Sequence, residues 1–345
     1  MSHRILIRSA LAVSVCTLLP QHVYAESDFT DMSLEELMEV DVKSVDVLGI
    51  HTHKASELML SYRVMFMNMS GLREGTVDIR SSNVLADYMV TPTDMRKQTH
   101  MFGLMTAPTD KLTVGIMVPY HRISMDHLTR AGGSFTTKTD GIGDITIAVH
   151  RTVFQRDQDR HRIIVSGIAG LPTGSIHPTD DTPAGSDQVL PYPMRLSTGT
   201  FDAFPKLSYH FRGEAWAISA QTGATIRLNE NPHKYKLGNG VEASGSISRS
   251  FRGKVATLMR ISASQLGKIR GGDSHLNAGM VSTADPDNQG GWHISGAAGA
   301  SFLLESELLG HTHFAVEATL PLVQSFHGPQ LKRRWSISAG LQWIR

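Results

Sequence analysis

The sequence predicts an all-β fold: a transmembrane antiparallel β-barrel of about 12 strands, with 10 or 14 as alternatives, behind a short N-terminal periplasmic segment. Three observations carry this. Short stretches of alternating apolar and polar residues repeat to the last residue. The gaps between them are alternately long (near 70–97, 128–139, 172–199, 228–238, 269–290 and 324–332) and very short (near 108–110, 155–160, 212–214, 252–253 and 305–311). An even strand count starting from the periplasm also puts the short turns on the periplasmic side and the long loops outside. Only a closed sheet satisfies every backbone group in lipid, and such barrels sort their loops this way.

Residues 1–25 read as a secretory signal, with Arg4 and Arg8 before the apolar core Leu11 to Leu19 and Val23-Tyr24-Ala25 at the cleavage position. Cys16, the single cysteine, falls within it, so the remainder carries no thiol chemistry; Val15 is too large for a lipidation signal. The formal net charge is +1 and no basic run occurs, which argues against nucleic acid as a partner. No segment after the signal approaches the roughly 18 apolar residues of a membrane helix. Export and a barrel together imply a Gram-negative outer membrane, with outer-membrane lipid, the barrel assembly machinery and a small-molecule solute as partners.

Residues 26–55 form a separate lead. Ser33 and Glu36 make a capping box before Leu34, Leu37 and Met38, which predicts a helical turn or two. This lead is a periplasmic tail or a partial plug of the barrel mouth. The barrel itself is residues 56–345. Its first strand, 56–69, places Leu58, Leu60, Tyr62, Val64 and Phe66 on one face and Met59, Ser61, Arg63, Met65, Met67 and Met69 on the other. The second spans about 98–107. The third shows Leu112, Val114, Ile116, Val118 and Tyr120 on its apolar face, and the fourth, from Asp144, shows Ile145, Ile147 and Val149. The remainder fall near 161–171, 200–211, 215–227, 240–251, 254–266, 292–304, 313–323 and 333–345. Ser82 to Tyr88, in the first long gap, is apolar enough for a short helix folded into the pore. The last strand alternates Trp335, Ile337, Ala339, Leu341 and Trp343 with small or polar residues, like the terminal assembly signal of outer-membrane barrels. It ends on Arg345 instead of an aromatic residue.

Several stretches together resemble a family of outer-membrane proteins named for a phenol-degradation (MetA) pathway. They are His51-Thr52-His53-Lys54, Gly141-Ile142-Gly143-Asp144, Leu171-Pro172-Thr173-Gly174-Ser175, Ser197-Thr198-Gly199-Thr200-Phe201-Asp202, Thr283-Ala284-Asp285-Pro286-Asp287 and Gly328-Pro329-Gln330. The similarity spans about 50–345. It implies a barrel of transporter type and brings no substrate or catalytic residue with it.

The leading functional expectation is a non-enzymatic channel or transporter for a small solute, hydrophobic in one version. A second reading is soft-metal binding or transport. It rests on 16 methionines, of which Met59, Met65 and Met67 line strand one with Met101, Met105 and Met117 beside them. The pairs His51/His53 and His311/His313 fall at the periplasmic rim. Thioethers suit Cu(I) and imidazoles suit Cu(II) or Zn, although methionine also serves as an adaptable packing residue. Arg63, His150 and Asp144 are pore-lining candidates, since an arginine on the lipid face costs about 2–4 kcal/mol at mid-membrane. A lipid-hydrolase reading would use His293 and Ser295, but their strand carries no asparagine to orient the histidine. Asp273, Asp285 and Asp287 are a weak Ca²⁺ candidate. A structural or adhesion barrel with an occluded lumen is the third class.

Overall fold

The computed structural model describes residues 52–251, 254–306 and 310–345. The predicted lead to residue 51 and its capping box lie outside them. Eleven strand segments form one sheet: β1 (Leu58–Gly75), β2 (Val90–Thr109), β3 (Leu112–Thr129), β4 (Ile145–Arg156), β5 (His161–Leu171), β6 (Asp202–Arg212), β7 (Trp216–Arg227), β8 (Gly240–Phe251), β9 (Val255–Leu266), β10 (Gly291–Ser306) and β11 (Gly310–Ile344). Each pairs with its successor, and β11 returns to β1, with Met59 opposite Ile344 and Met67 opposite Ser336. Every pairing in this ring is antiparallel.

A ring of antiparallel neighbours needs an even number of directions, so one of the eleven segments must reverse. That segment is β11, whose 35 residues would run roughly 115 Å if straight, at about 3.3 Å per residue. Its first arm, Gly310–Phe326, pairs with β10, and its second arm, from Gln330 on, pairs with β1. Gly328, at φ +121°, sits at the reversal. A Cβ there would meet Asn288 Oδ1 at 2.2 Å, so only glycine fits. Across the reversal, Gln324 Nε2 donates to the Arg333 carbonyl (3.1 Å) and Arg333 N donates to Gln324 Oε1 (2.9 Å). The barrel therefore has twelve staves.

The alternation fixes the faces. Leu60, Phe66, Phe102, Leu104, Ile147, Val165, Leu207, Ile261, Leu322 and Ile337 are large, apolar and exposed around the ring. Such a belt on a closed sheet is a lipid-facing surface. The interior residues between them are small or polar: Thr99, Thr113, Ser166, Ser208, Ser301 and Ser338 are all buried. No helix among the described residues is long and apolar enough to cross a membrane. The fold is that of an outer-membrane β-barrel.

The short turns lie at one rim and the long connections at the other, as the sequence rhythm predicts. Three details differ. The strands outrun their lipid-facing alternation: β1 continues to Gly75, and β2 begins at Val90. The expected loop near 128–139 holds a further strand, Ser134–Ile142, which folds back on β3 from Leu128↔Ser134 to Tyr120↔Ile142. The gap expected at 324–332 shrinks to the reversal around Gly328.

The helix expected in the first loop is α1 (Ser81–Asp87). Arg130 caps its C-terminal carbonyls, donating to Leu85 O, Ala86 O and Tyr88 O at 2.6–3.0 Å. Val84 of α1 packs against Leu72, Met95, Ile123, Met125 and Leu331 of the inner barrel wall, with Leu190 and Met194 of the 172–201 loop. The helix thus seats inside the outer mouth.

Candidate functional site

The interior is layered from the periplasmic to the outer side. At the base, residues 52–57 tuck into the barrel end. His53 N donates to Thr113 Oγ1 at 3.0 Å, Thr52 and Thr152 hydroxyls lie 3.4 Å apart, and Glu57 Oε2 sits 3.2 Å from His53 Nδ1. Met59 is almost fully buried beside them, and Met105 is paired opposite it.

Above the base, Ser61, Arg63, Met101, Met117, Ser301, His313 and Gln342 line one lumen pocket. His150 is buried with Nδ1 2.8 Å from Ser166 Oγ. Of the pore-lining candidates, Arg63 lines this pocket and His150 is buried against Ser166. Arg260 and Glu317 form a buried ion pair at 3.0 Å.

Nearer the outer side, Lys97 of β2 and Arg333 of β11 flank β1, opposite Met67 and Met69 respectively. Arg333 Nη1 donates to His293 Nε2 at 2.7 Å, and His121 contacts Thr99 Oγ1 at 3.0 Å. Among the described residues neither Lys97 nor Arg333 reaches a carboxylate, whereas Arg260, Arg227 and Lys206 each do. This cationic girdle borders the apolar collar of Met95, Ile123, Met125 and Leu331, with Ile123 directly opposite Lys97 and Met95 and Met125 one step farther out. Sequence reading singled out His293 but missed Lys97 and Arg333, because a lone lysine or arginine in a strand does not reveal which neighbour it lacks.

Apart from Thr52 to Lys54 at the base, the resemblance motifs gather toward the outer rim. Asp144 Oδ2 accepts from Thr198 N (2.8 Å) and Oγ1 (3.1 Å), and its Oδ1 accepts from Gly174 N (3.2 Å). Thr173 Oγ1 donates to the Gly143 carbonyl, and Thr200 Oγ1 donates to Asp202. So Asp144 organises loops at the outer rim. Thr283 to Asp287 and Gly328 to Gln330 also converge: Tyr88 Oη donates to Asp285 Oδ2 (2.9 Å), and Gln330 Nε2 donates to the Gly290 carbonyl (2.8 Å).

The metal set read from the sequence does not assemble into a donor cluster among the described residues. Met59, Met65 and Met67 follow one another along the inner face of β1, at successive depths. His53 is at the base beside β3, while His313 shares its pocket with the Arg63 guanidinium. His51 and the side chain of His311 lie outside the described residues. His293 and Ser295 face inward, with Arg333 and Ser264 as the histidine's partners. Asp273, Asp285 and Asp287 have separate partners in His233, Tyr88 and Lys268.

Three extracellular loops, 172–201, 228–239 and 267–290, share a small core above the mouth. It contains Tyr192, Tyr235 and Ile269, with Leu237 and Leu276 packed on it. Arg195 is stacked between the Tyr192 and Tyr235 rings, 5.0 Å from each centroid.

Solved structures similar to this chain include outer-membrane barrels. The COG4313 outer membrane channel from Pseudomonas putida F1 aligns over 88% of this chain and 100% of its own length, at 12% identity and a TM-score of 0.63. The toluene transporter TodX of P. putida (10% identity, 85% and 90% covered) has a TM-score of 0.41. A Pseudomonas aeruginosa FadL homologue (10% identity, 84% and 89% covered) has one of 0.38. No protein-family model matches the chain, and no curated protein matches it. The first likeness supports the barrel fold established above; at such identities it speaks for fold alone.

Proposed function

We propose that this protein is an outer-membrane channel for small organic anions that carry an apolar body. The observation behind this is the pairing of two layers in one lumen: the apolar collar of Met95, Ile123, Met125 and Leu331, and the Lys97/Arg333 girdle bordering it. The collar is packed by Val84, Leu190 and Met194, so a solute entering from outside passes where these loops part from the apolar wall and then meets positive charge that no carboxylate among the described residues offsets. Rings of one sign select ions in pores, and in a narrow low-dielectric passage that charge acts strongly. Aromatic or aliphatic carboxylates have both features. This reading fits the resemblance to the phenol-degradation group of outer-membrane proteins, which belongs to the same proposal.

The soft-metal transport alternative draws less support, because Arg63 stands in the pocket that gathers Met101, Met117 and His313 and would repel a cation. Among the described residues no orienting acid or amide partners His293, whose ring nitrogens meet Arg333 and Ser264.

Reversal potentials across a planar bilayer under a KCl gradient test the proposal. The expected result is preference for chloride over potassium, block by an aromatic carboxylate, and weaker anion preference in Lys97→Gln. Cation preference in the wild type would overturn it. A correctly folded barrel with no conductance would favour a structural role.

A further inference from the structure

A different set of histidines from those the sequence suggests comes together in the extracellular cap. His177, His233 and His275 each come from a different loop, and their nearest ring nitrogens all lie within 4.8 Å of one another. The three rings face one another pairwise, with centroids 4.8–5.1 Å apart. Beneath them is Asp273, whose side chain is fully buried. One carboxylate oxygen takes His233 Nδ1 at 2.8 Å, and the other takes His275 Nδ1 at 2.7 Å.

That pairing fixes chemistry as well as position. A carboxylate accepts only, so each Nδ1 carries the proton and each Nε2 is left with its lone pair. Metal-binding histidines are characteristically oriented by a carboxylate in this way, which settles the tautomer and makes the ligating nitrogen more basic. Here one aspartate does this for two rings. The carboxylate is itself held by Arg195 at 2.7 Å, and by its own backbone N donating to Tyr192 Oη at 3.0 Å.

We propose that His177, His233 and His275 bind one transition-metal ion, Zn²⁺ being the best match, with Asp273 as the orienting carboxylate. Three neutral imidazoles suit zinc, at Zn–N distances of about 2.0–2.1 Å. Zn–N bonds of that length put ligand nitrogens about 3.3 Å apart, a closure that the exposed His177 and His275 rings can make toward the partly buried His233. The ion would bridge the 172–201, 228–239 and 267–290 loops, and so fasten the cap above the mouth from outside the cell.

The test uses untagged, refolded full-length barrel titrated with Zn²⁺ against a chromophoric chelator. Wild type should bind one ion per barrel, and His177→Ala/His275→Ala should bind at least 100-fold more weakly. Both replaced side chains are exposed, and heat-modifiable gel mobility verifies that the variant is folded. A second readout is cleavage of the 172–201 and 267–290 loops by protease, which Zn²⁺ should slow in wild type only. Equal affinity in wild type and the variant overturns the proposal. So does loss of binding in a His51/His53/His311/His313→Ala barrel with none in the cap variant. Neither readout depends on what the lumen conducts.

Discussion

The Arg195 guanidinium lies 2.7 Å from Asp273 Oδ2, and the two side chains are 2% and 0% exposed. They belong to different extracellular loops, so this buried pair holds the cap together. Its electrostatics are completed by the Tyr192 and Tyr235 faces and by the Nη1 hydrogen bond to Tyr235 Oη at 2.8 Å. Arg195→Ala leaves a buried carboxylate without its cation. Breaking such a pair costs about 3–5 kcal/mol, here confined to the cap. Hydrogen exchange should rise in 186–200 and 267–276 while the barrel strands keep their protection.

Acid should loosen the same cap. Burial pushes the Asp273 carboxyl up, but His233, His275 and Arg195 outweigh it and hold it well below the usual carboxylate range. That contribution is complete above the ordinary carboxylate value of about 3.9 and is lost as pH falls through the lower folded value. His177 is depressed too, by burial and by its two histidine neighbours. Its neutral form is the one the fold favours, so its share is complete above about 6.5 and diminishes below. Loop protection should therefore fall between about pH 7.5 and about pH 5 through His177, and further below about pH 3.9 through Asp273. Greater protection in acid would contradict this assignment.

Gly174→Ala should destabilise the outer rim. A Cβ there would meet Ile142 O at 2.8 Å, and Gly143 Cα and Leu196 O at 3.0 Å. All three are backbone atoms that cannot rotate away, and overpacking of this kind costs about 1–3 kcal/mol. Gly167→Ala is the control, since nothing lies within 4 Å of its added carbon. Thermal unfolding followed by gel mobility should separate the two.

The Arg260–Glu317 pair is buried inside the barrel, and removing one partner should cost more than removing both. Glu317→Ala is expected to lose about 3–5 kcal/mol, whereas Arg260→Met/Glu317→Leu should recover much of that. Urea unfolding of the three barrels measures the difference.

The barrel is legible in the sequence because its outer face must be apolar. Leu112 to Tyr120 shows that face directly, and the lengths of the gaps separate the rims. Legibility stops where the wall leaves lipid. Around Val90–Arg96 and Ser134–Ile142 both faces are polar or mixed, so alternation disappears while the hydrogen-bonding ladder continues. The histidines show the same limit. His51/His53 and His311/His313 stand out because they are close in sequence, whereas His177, His233 and His275 are brought together only by folded loops. Asp273-Ser274-His275 was the one local hint. Asp144 stands out in the sequence as a pore-lining candidate near the outer rim of strand four, but its role in joining Gly174 and Thr198 depends on a loop whose path no periodicity encodes.

The closing seam of the ring has a consequence for how the molecule comes into being. Leu58 and Arg345 exchange both backbone hydrogen bonds, at 2.8 and 2.9 Å, so the first stave is completed by the final residues of the chain. Until that second arm of β11 is in place, β1 and the first arm each present an unpaired edge, which hydrocarbon cannot satisfy. A partly inserted sheet therefore gains little from each added stave and everything from the last. Membrane insertion should be all-or-none, and a chain stopped at Gly328 should remain outside the bilayer.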